Sequence, residues 1–129
     1  MSTTAITSGV KVSVTTNYQE EYSSPSHAHY VFSYRINIEN NSQYTIKLLK
    51  RHWHIFDATG SKKEVEGDGV VGQQPIIESG ESHEYVSGCN FKTGLGKMNG
   101  FYQFQRLIDK KLFNVEIPEF VMATLETLN

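Results

Sequence analysis

One cysteine, Cys89, is all that this chain of 129 residues contains. No internal disulfide can staple it, which fits a reducing compartment. The thiol reads as a small packed strand or core residue rather than a nucleophile, since no activating environment is visible around it. Long hydrophobic runs are also missing, so no membrane-crossing helix is expected. The opening MSTTAITSG lacks the basic residues, apolar stretch and cleavage site of an export signal, so a cytoplasmic location is expected. Nor is charge of one sign in excess. Twelve Lys and Arg against fourteen Asp and Glu leave a net charge of −2. A protein that grips nucleic acid by its phosphates carries a basic face, so neither nucleic acid nor membrane is expected as a partner. Small basic clusters at Lys47, Lys50 and Arg51, at Lys62 and Lys63, and at Lys110 and Lys111 read as solvated strand faces or turns. Helical patterning is the last absence: no segment carries a capped apolar stripe of period 3.6.

What the chain does carry is period two. Val10, Val12 and Val14 alternate with polar residues, as do Tyr30, Phe32, Tyr34, Ile36 and Ile38, and then Phe113, Val115 and Ile117. Such alternation places one set of side chains on a buried face and the other in water. Runs at 45–57, 69–77, 82–88 and 99–108 bring the expected strands to about seven. Turns are marked by Asn40-Asn41-Ser42, by Asp57 to Gly60 and by Ser79-Gly80-Glu81. The length suits one domain. The expectation is an all-β sandwich of immunoglobulin or fibronectin type III kind over 9–122, with flexible ends at 1–8 and 123–129. In the run from 45 to 57, Ile46 and Leu48 share one face but Leu49, Trp53 and Ile55 share the other, which calls for a bulge. Trp53 is expected in the core.

Three groups of residues invite a chemical reading. Gly67, Gly69 and Gly72 form a G-x-G-x-x-G pattern. A dinucleotide fold requires a helix after it, and Pro75 followed by Ile76 and Ile77 argues for strand instead. Two readings remain: a loop whose N–H groups cradle an anion, or a tight turn whose glycines accept positive φ. The second group is two His-x-His pairs, His27 with His29 and His52 with His54. On a strand, residues two apart point the same way, so either pair could offer two imidazoles to a metal, with His83, Asp57 or Cys89 as a further ligand. Ordinary half-buried histidines are the alternative, and no cofactor or acidic metal cluster is expected. The third group, Ser79 to Glu84, contains serine, histidine and carboxylate. Ser82 and His83 would point to opposite faces of a strand, so it gives no support to catalysis.

These residues, taken in order, resemble the ApaG family, also called CorD. The carriers are Ser24-Pro25, YVFSYRINIEN at 30–40, LLKRHWHIFDATG at 48–60, VEGDGVVGQQP at 65–75, SGESHEYVSG at 79–88, GKMNGFYQF at 96–104 and FNVEIPEF at 113–120. The resemblance spans the chain from about Gly9 to Phe120. It implies a fibronectin type III-like sandwich, a gene often beside that of a diadenosine-tetraphosphate hydrolase, and a link to cobalt and magnesium resistance. It also carries a proposal of nucleotide or pyrophosphate binding, which maps here onto Gly67, Gly69 and Gly72. Relatives of the domain in eukaryotic F-box and polymerase-interacting proteins imply a protein-recognition module. Arg51, His52 and Trp53 fall in the R-H-W block of the family and would adjoin such a site. One departure is visible: many members have Thr-Pro where this chain has Thr93-Gly94, which should loosen the loop at 92–97.

The expected function is therefore a non-enzymatic binding module for a protein partner. Its first alternative is a small-anion site, pyrophosphate or nucleotide, built from Gly67, Gly69, Gly72, Arg51 and His52. Its second is a divalent-metal site at a His-x-His pair.

Overall fold

The computed structural model describes residues 2–124, in two antiparallel sheets packed face to face. The first sheet has the order β1 (Ser2–Thr7), β2 (Val10–Tyr18), β3 (Tyr30–Asn40) and β7 (Ser82–Phe91). The second has the order β5 (Lys62–Asp68), β4 (Ile46–Asp57), β8 (Leu95–Arg106) and β9 (Leu112–Ala123), with the short β6 (Ile76–Ile77) pairing the start of β4. The chain changes sheet between β3 and β4, between β6 and β7, and again between β7 and β8. That exchange is the pattern of fibronectin type III-like sandwiches.

The alternating runs become the inner faces. Val10, Val12 and Val14 on β2 and Phe32, Tyr34, Ile36 and Ile38 on β3 are buried against the second sheet. That sheet answers with Ile46, Leu48 and Trp53 on β4, Tyr102 and Phe104 on β8, and Val115 and Ile117 on β9. Removing a large apolar side chain from water contributes about 1.5–3 kcal/mol each, so these two layers are the main driving force of the fold. Trp53 is 3% exposed and meets Tyr34, Tyr102 and Phe120 edge-on in the core.

The expected bulge is present. The register of β4 against β8 slips between Leu48 and Lys50, so Leu49 is the extra residue and the buried parity passes from Ile46 and Leu48 to Trp53. A second slip lies between β8 and β9 at Met98/Gly100, and the buried set on β9 passes from Val115 and Ile117 to Phe120 and Met122 across Pro118.

Three expectations need correction. The N-terminal residues, expected to be loose, form β1, paired with β2 from Ser2↔Thr15 to Thr7↔Val10. Lys62–Asp68 is also a strand, although its single apolar residue hides the period; it borders solvent and has little to bury. The run at 69–77 is mostly a turn, with only Ile76–Ile77 in a strand. The described residues thus hold nine strands rather than seven. Ala123 ends β9, and 125–129 of the expected loose C-terminus lie outside the described residues.

The two long sides of the sandwich differ. On one, β1 lies alongside β9, and Thr7 Oγ1 accepts a hydrogen bond from the Glu116 N–H at 3.1 Å. On the other, β7 and β5 are the sheet edges, and a cleft opens between them.

Candidate functional site

The cleft has Tyr34 and Trp53 as its floor, β7 as one wall, and β5 with the turn that follows it as the other. Two adjoining hollows of about 430 and 270 Å³ share Tyr34, Arg51, Trp53 and Ser87. Val70, Val71 and Gly72 line the first, while Lys63, Cys89 and Asn90 line the second. Arg51 stands at their junction. Its Nη1 donates to the carbonyls of Asp68 at 2.9 Å and Gly69 at 3.1 Å. The guanidinium lies flat against Gly67, where a β-carbon would stand 2.9 Å from Nη1. Gly67 is thus a gap that lets the arginine side chain across its own hairpin.

The other two glycines serve the turn. Val70 and Gln73 exchange backbone hydrogen bonds of 2.8 and 3.0 Å around Val71 and Gly72, whose φ values are 47° and 74°. Positive φ at both central residues makes this a two-residue turn of type I′. Gly72 adopts that conformation freely, but Val71 is β-branched, and such a residue there stores about 1–3 kcal/mol of strain. Gly69 has φ 63°, and a β-carbon on it would stand 2.1 Å from the Gln73 carbonyl oxygen. Its N–H donates to the Leu49 carbonyl at 2.8 Å, which ties the turn to the β4 bulge. The N–H groups of Gly69, Val70 and Gln73 are therefore committed inside the protein. Among the described residues, those of Val71 and Gly72 have no hydrogen-bond partner.

Neighbouring residues of a strand face opposite ways, and this separates Arg51 from His52. Arg51 reaches into the cleft with the glycine turn, while His52 and His54 stand on the outer face of the second sheet. His52 stacks on Phe101 at 4.9 Å with 6° between the rings, and its own ring is 4.9 Å from that of His54. Its Nε2 lies 2.6 Å from Glu64 Oε1 and its Nδ1 lies 3.6 Å from Glu66 Oε1. The five residues expected to form one anion site thus divide between two surfaces. The other histidine pair is not on a strand. Pro25–His27 is a short 3₁₀ turn and Ala28 is left-handed, with φ 53°. His27 Nδ1 is hydrogen-bonded with Ser24 Oγ at 2.7 Å.

Asp57, His83 and Cys89 do not join either pair. Asp57 closes the 92–94 corner, accepting from Lys92 N–H at 2.7 Å and from the Thr93 hydroxyl at 2.8 Å. Burial acts upward on its carboxyl, but these hydrogen bonds outweigh it and hold the group below the usual carboxylate range. The corner expected to be loosened by Thr93-Gly94 is thus clamped. Cys89 faces the cleft, and burial, the largest effect, pushes its thiol up to about 11, away from a nucleophilic thiolate. Tyr85, also on the cleft wall, shares a short hydroxyl–hydroxyl hydrogen bond with Tyr102, and burial raises both phenols.

Sequence reasoning missed Glu64, Glu66, Lys63, Tyr34 and Ser87. The first two could have been found by counting back from the Asp57–Gly60 turn, which sets His54 opposite Glu64 and His52 opposite Glu66.

Sheet order, the buried layers and an edge cleft define a fibronectin type III-like β-sandwich domain. The sequence profile of the ApaG domain matches residues 20–106. Protein ApaG of Brucella anthropi is 48% identical over 128 residues, covering 97% of this chain and 98% of that relative. A crystal structure described as the putative ApaA protein from Bordetella pertussis is 42% identical, with a TM-score of 0.87 over 92% of this chain and 95% of that one. A structural-genomics X-ray structure is 38% identical, with a TM-score of 0.88 over 97% of this chain and 94% of the other. The chain belongs to the ApaG family. No helix among the described residues is long and apolar enough to cross a membrane.

Proposed function

We propose that this protein is a non-enzymatic protein-recognition module that takes an extended segment of a partner as an added strand along β7. The observation that carries this reading is the undefended state of that edge. β7 pairs with β3 over ten consecutive residues without a register slip, and its other side pairs with no strand. Exposed edges are ordinarily blunted by lysine, proline, bulges or inward charges. β7 reads SHEYVSGCNF, with no lysine, proline or bulge. The facing edge, β5, has Lys62, Lys63, Glu64, Glu66 and Asp68 within seven residues.

A strand added to β7 would send alternate side chains towards the cleft, where Arg51 and Lys63 supply positive charge. The preferred partner is therefore an extended segment with an acidic side chain over Arg51. Main-chain hydrogen bonds would give affinity and the two hollows specificity. A link to cobalt and magnesium resistance would then be indirect, through the partner. The Cys89 thiol that lines the cleft is raised by burial, which disfavours its use as a nucleophile and supports the binding reading.

The test is selection of peptides from a random displayed library, followed by NMR mapping of the binders on the labelled protein. The expected result is slowed amide exchange and shift changes along 82–91 and at Arg51, lost in Val86→Lys. Val86 is 49% exposed, so that change tests the edge with the core intact. Perturbations confined to other strands, or equal binding by the variant, would remove β7 from the function. A concentration-dependent dimer by light scattering, with no peptide selected, would instead make a second copy the occupant.

A further inference from the structure

The outer face of the β4–β5 hairpin is separate from the cleft and carries a different chemistry. Its basis is register. The pairs His54↔Glu64 and His52↔Glu66 line up across the two strands, with Trp53 turned inward between the histidines. One nitrogen from each of His52 and His54 and one oxygen from Glu64 lie within 4.8 Å of one another.

We propose that His52, His54 and Glu64 form a binding site for a transition-metal dication of the zinc type, with solvent in the fourth position. Zinc takes imidazole and carboxylate ligands at about 2.0–2.2 Å, which sets ligand atoms roughly 3.3–3.5 Å apart in a tetrahedron. The His52–Glu64 side of the set is already closer than that, at 2.6 Å, so the ion would replace their direct contact. The remaining closure is a matter of side-chain rotation. Glu64 is 61% exposed and its carboxylate can rotate once the ion replaces that contact, whereas His52 is held by its stack on Phe101. The fixed ligand is thus the preorganised one.

The surroundings fit a ligand histidine. A metal-bound imidazole ordinarily directs its second nitrogen at a carboxylate, which orients the ring and raises its basicity. Here Nε2 of His52 faces Glu64 and Nδ1 faces Glu66 at 3.6 Å, one carboxylate for each role. Two imidazoles and one carboxylate select zinc, cobalt(II) or nickel(II) over magnesium and calcium, which want oxygen alone.

The experiment is calorimetric titration of the full chain with zinc chloride, paired with the visible absorption of the cobalt(II)-loaded protein. One-to-one zinc binding is expected, with a cobalt spectrum of low coordination number. Both are lost, by more than tenfold in affinity, in His54→Ala and in Glu64→Gln, and both persist in His27→Ala/His29→Ala. Glu64 is exposed, so its variant reads the site without disturbing the core, and circular dichroism checks each fold. Wild type without a one-to-one isotherm, an isotherm unchanged in both site variants, or tighter binding of magnesium than of zinc would overturn the proposal.

Discussion

Gly100 faces the backbone of His52 so closely that a β-carbon on it would stand 1.9 Å from the His52 carbonyl oxygen. The two residues belong to adjacent strands, with Gly100 paired to Trp53 just beside the slip between β8 and β9. The glycine lets β8 pair tightly beside β4, the strand that carries the histidines.

Gly100→Ala should therefore destabilise the fold although it adds a single methyl group. Forcing backbone apart in a packed sheet costs about 1–3 kcal/mol or more. For a domain of this length that lowers the melting temperature by roughly 5–10 °C, measurable by calorimetry. A variant melting within a degree of wild type would show that β8 has room to move.

Asn40 makes a second prediction. It is wholly buried at the end of β3, and its amide Nδ2 donates to the Tyr44 carbonyl at 2.7 Å and the Ile77 carbonyl at 2.9 Å. Its Oδ1 accepts from the Ser42 N–H at 3.0 Å and the Ser42 hydroxyl at 2.6 Å. One side chain thus ties the β3–β4 turn to β6. Asn40→Ala removes the partner of the buried Ile77 carbonyl and of the part-buried Tyr44 carbonyl and Ser42 N–H, and should cost about 2–4 kcal/mol in denaturant unfolding. Asn40→Asp should be as harmful at neutral pH, because it sets a carboxylate against two carbonyls. A loss below 1 kcal/mol in both variants would mean that water takes over these contacts.

Cys89 carries a pH prediction. Burial raises its thiol to about 11 from an ordinary value near 9. The folded state then holds the proton more tightly than the unfolded chain, so this contribution is complete below pH 9. It is lost as pH rises towards about 11. Cys89→Ala should flatten that part of the alkaline stability curve. At pH 7.4 the thiolate fraction is about 100-fold below that of a free cysteine, and alkylation by iodoacetamide should slow in proportion. Labelling as fast as in a small peptide would show the thiol to be open to solvent.

The sandwich was legible because Val10, Val12, Val14 and the alternating run from Tyr30 have one wet face and one dry face. Leu49 announced its bulge for the same reason, since a change of parity has no other cheap explanation. β5 was hidden because only Val65 in it is apolar, and a strand at the edge of a sheet need not alternate. β1 was hidden similarly, its residues being mostly threonine, serine and alanine. The glycines were recognisable as a requirement without revealing what required them. Gly67 accommodates the Arg51 guanidinium and Gly69 the Gln73 carbonyl, both long-range neighbours that spacing does not encode. Gly69→Val would for that reason damage the turn itself, so loss of ligand binding in it would say nothing about an anion site. The division of Arg51 from His52 follows from strand geometry alone, since adjacent residues of a strand face opposite ways.

The asymmetry between the two sides of the sandwich also governs how the protein can polymerise. β1 is shielded by β9, so among the described residues β7 is the one long undefended edge. Two copies joined antiparallel through β7 would be related by a two-fold axis, merging four strands from each into one continuous sheet. Both sticky edges are consumed in that step, leaving no template for a third copy. A chain built this way can pair with itself but cannot grow into a fibre, so an undefended edge can persist without the usual hazard.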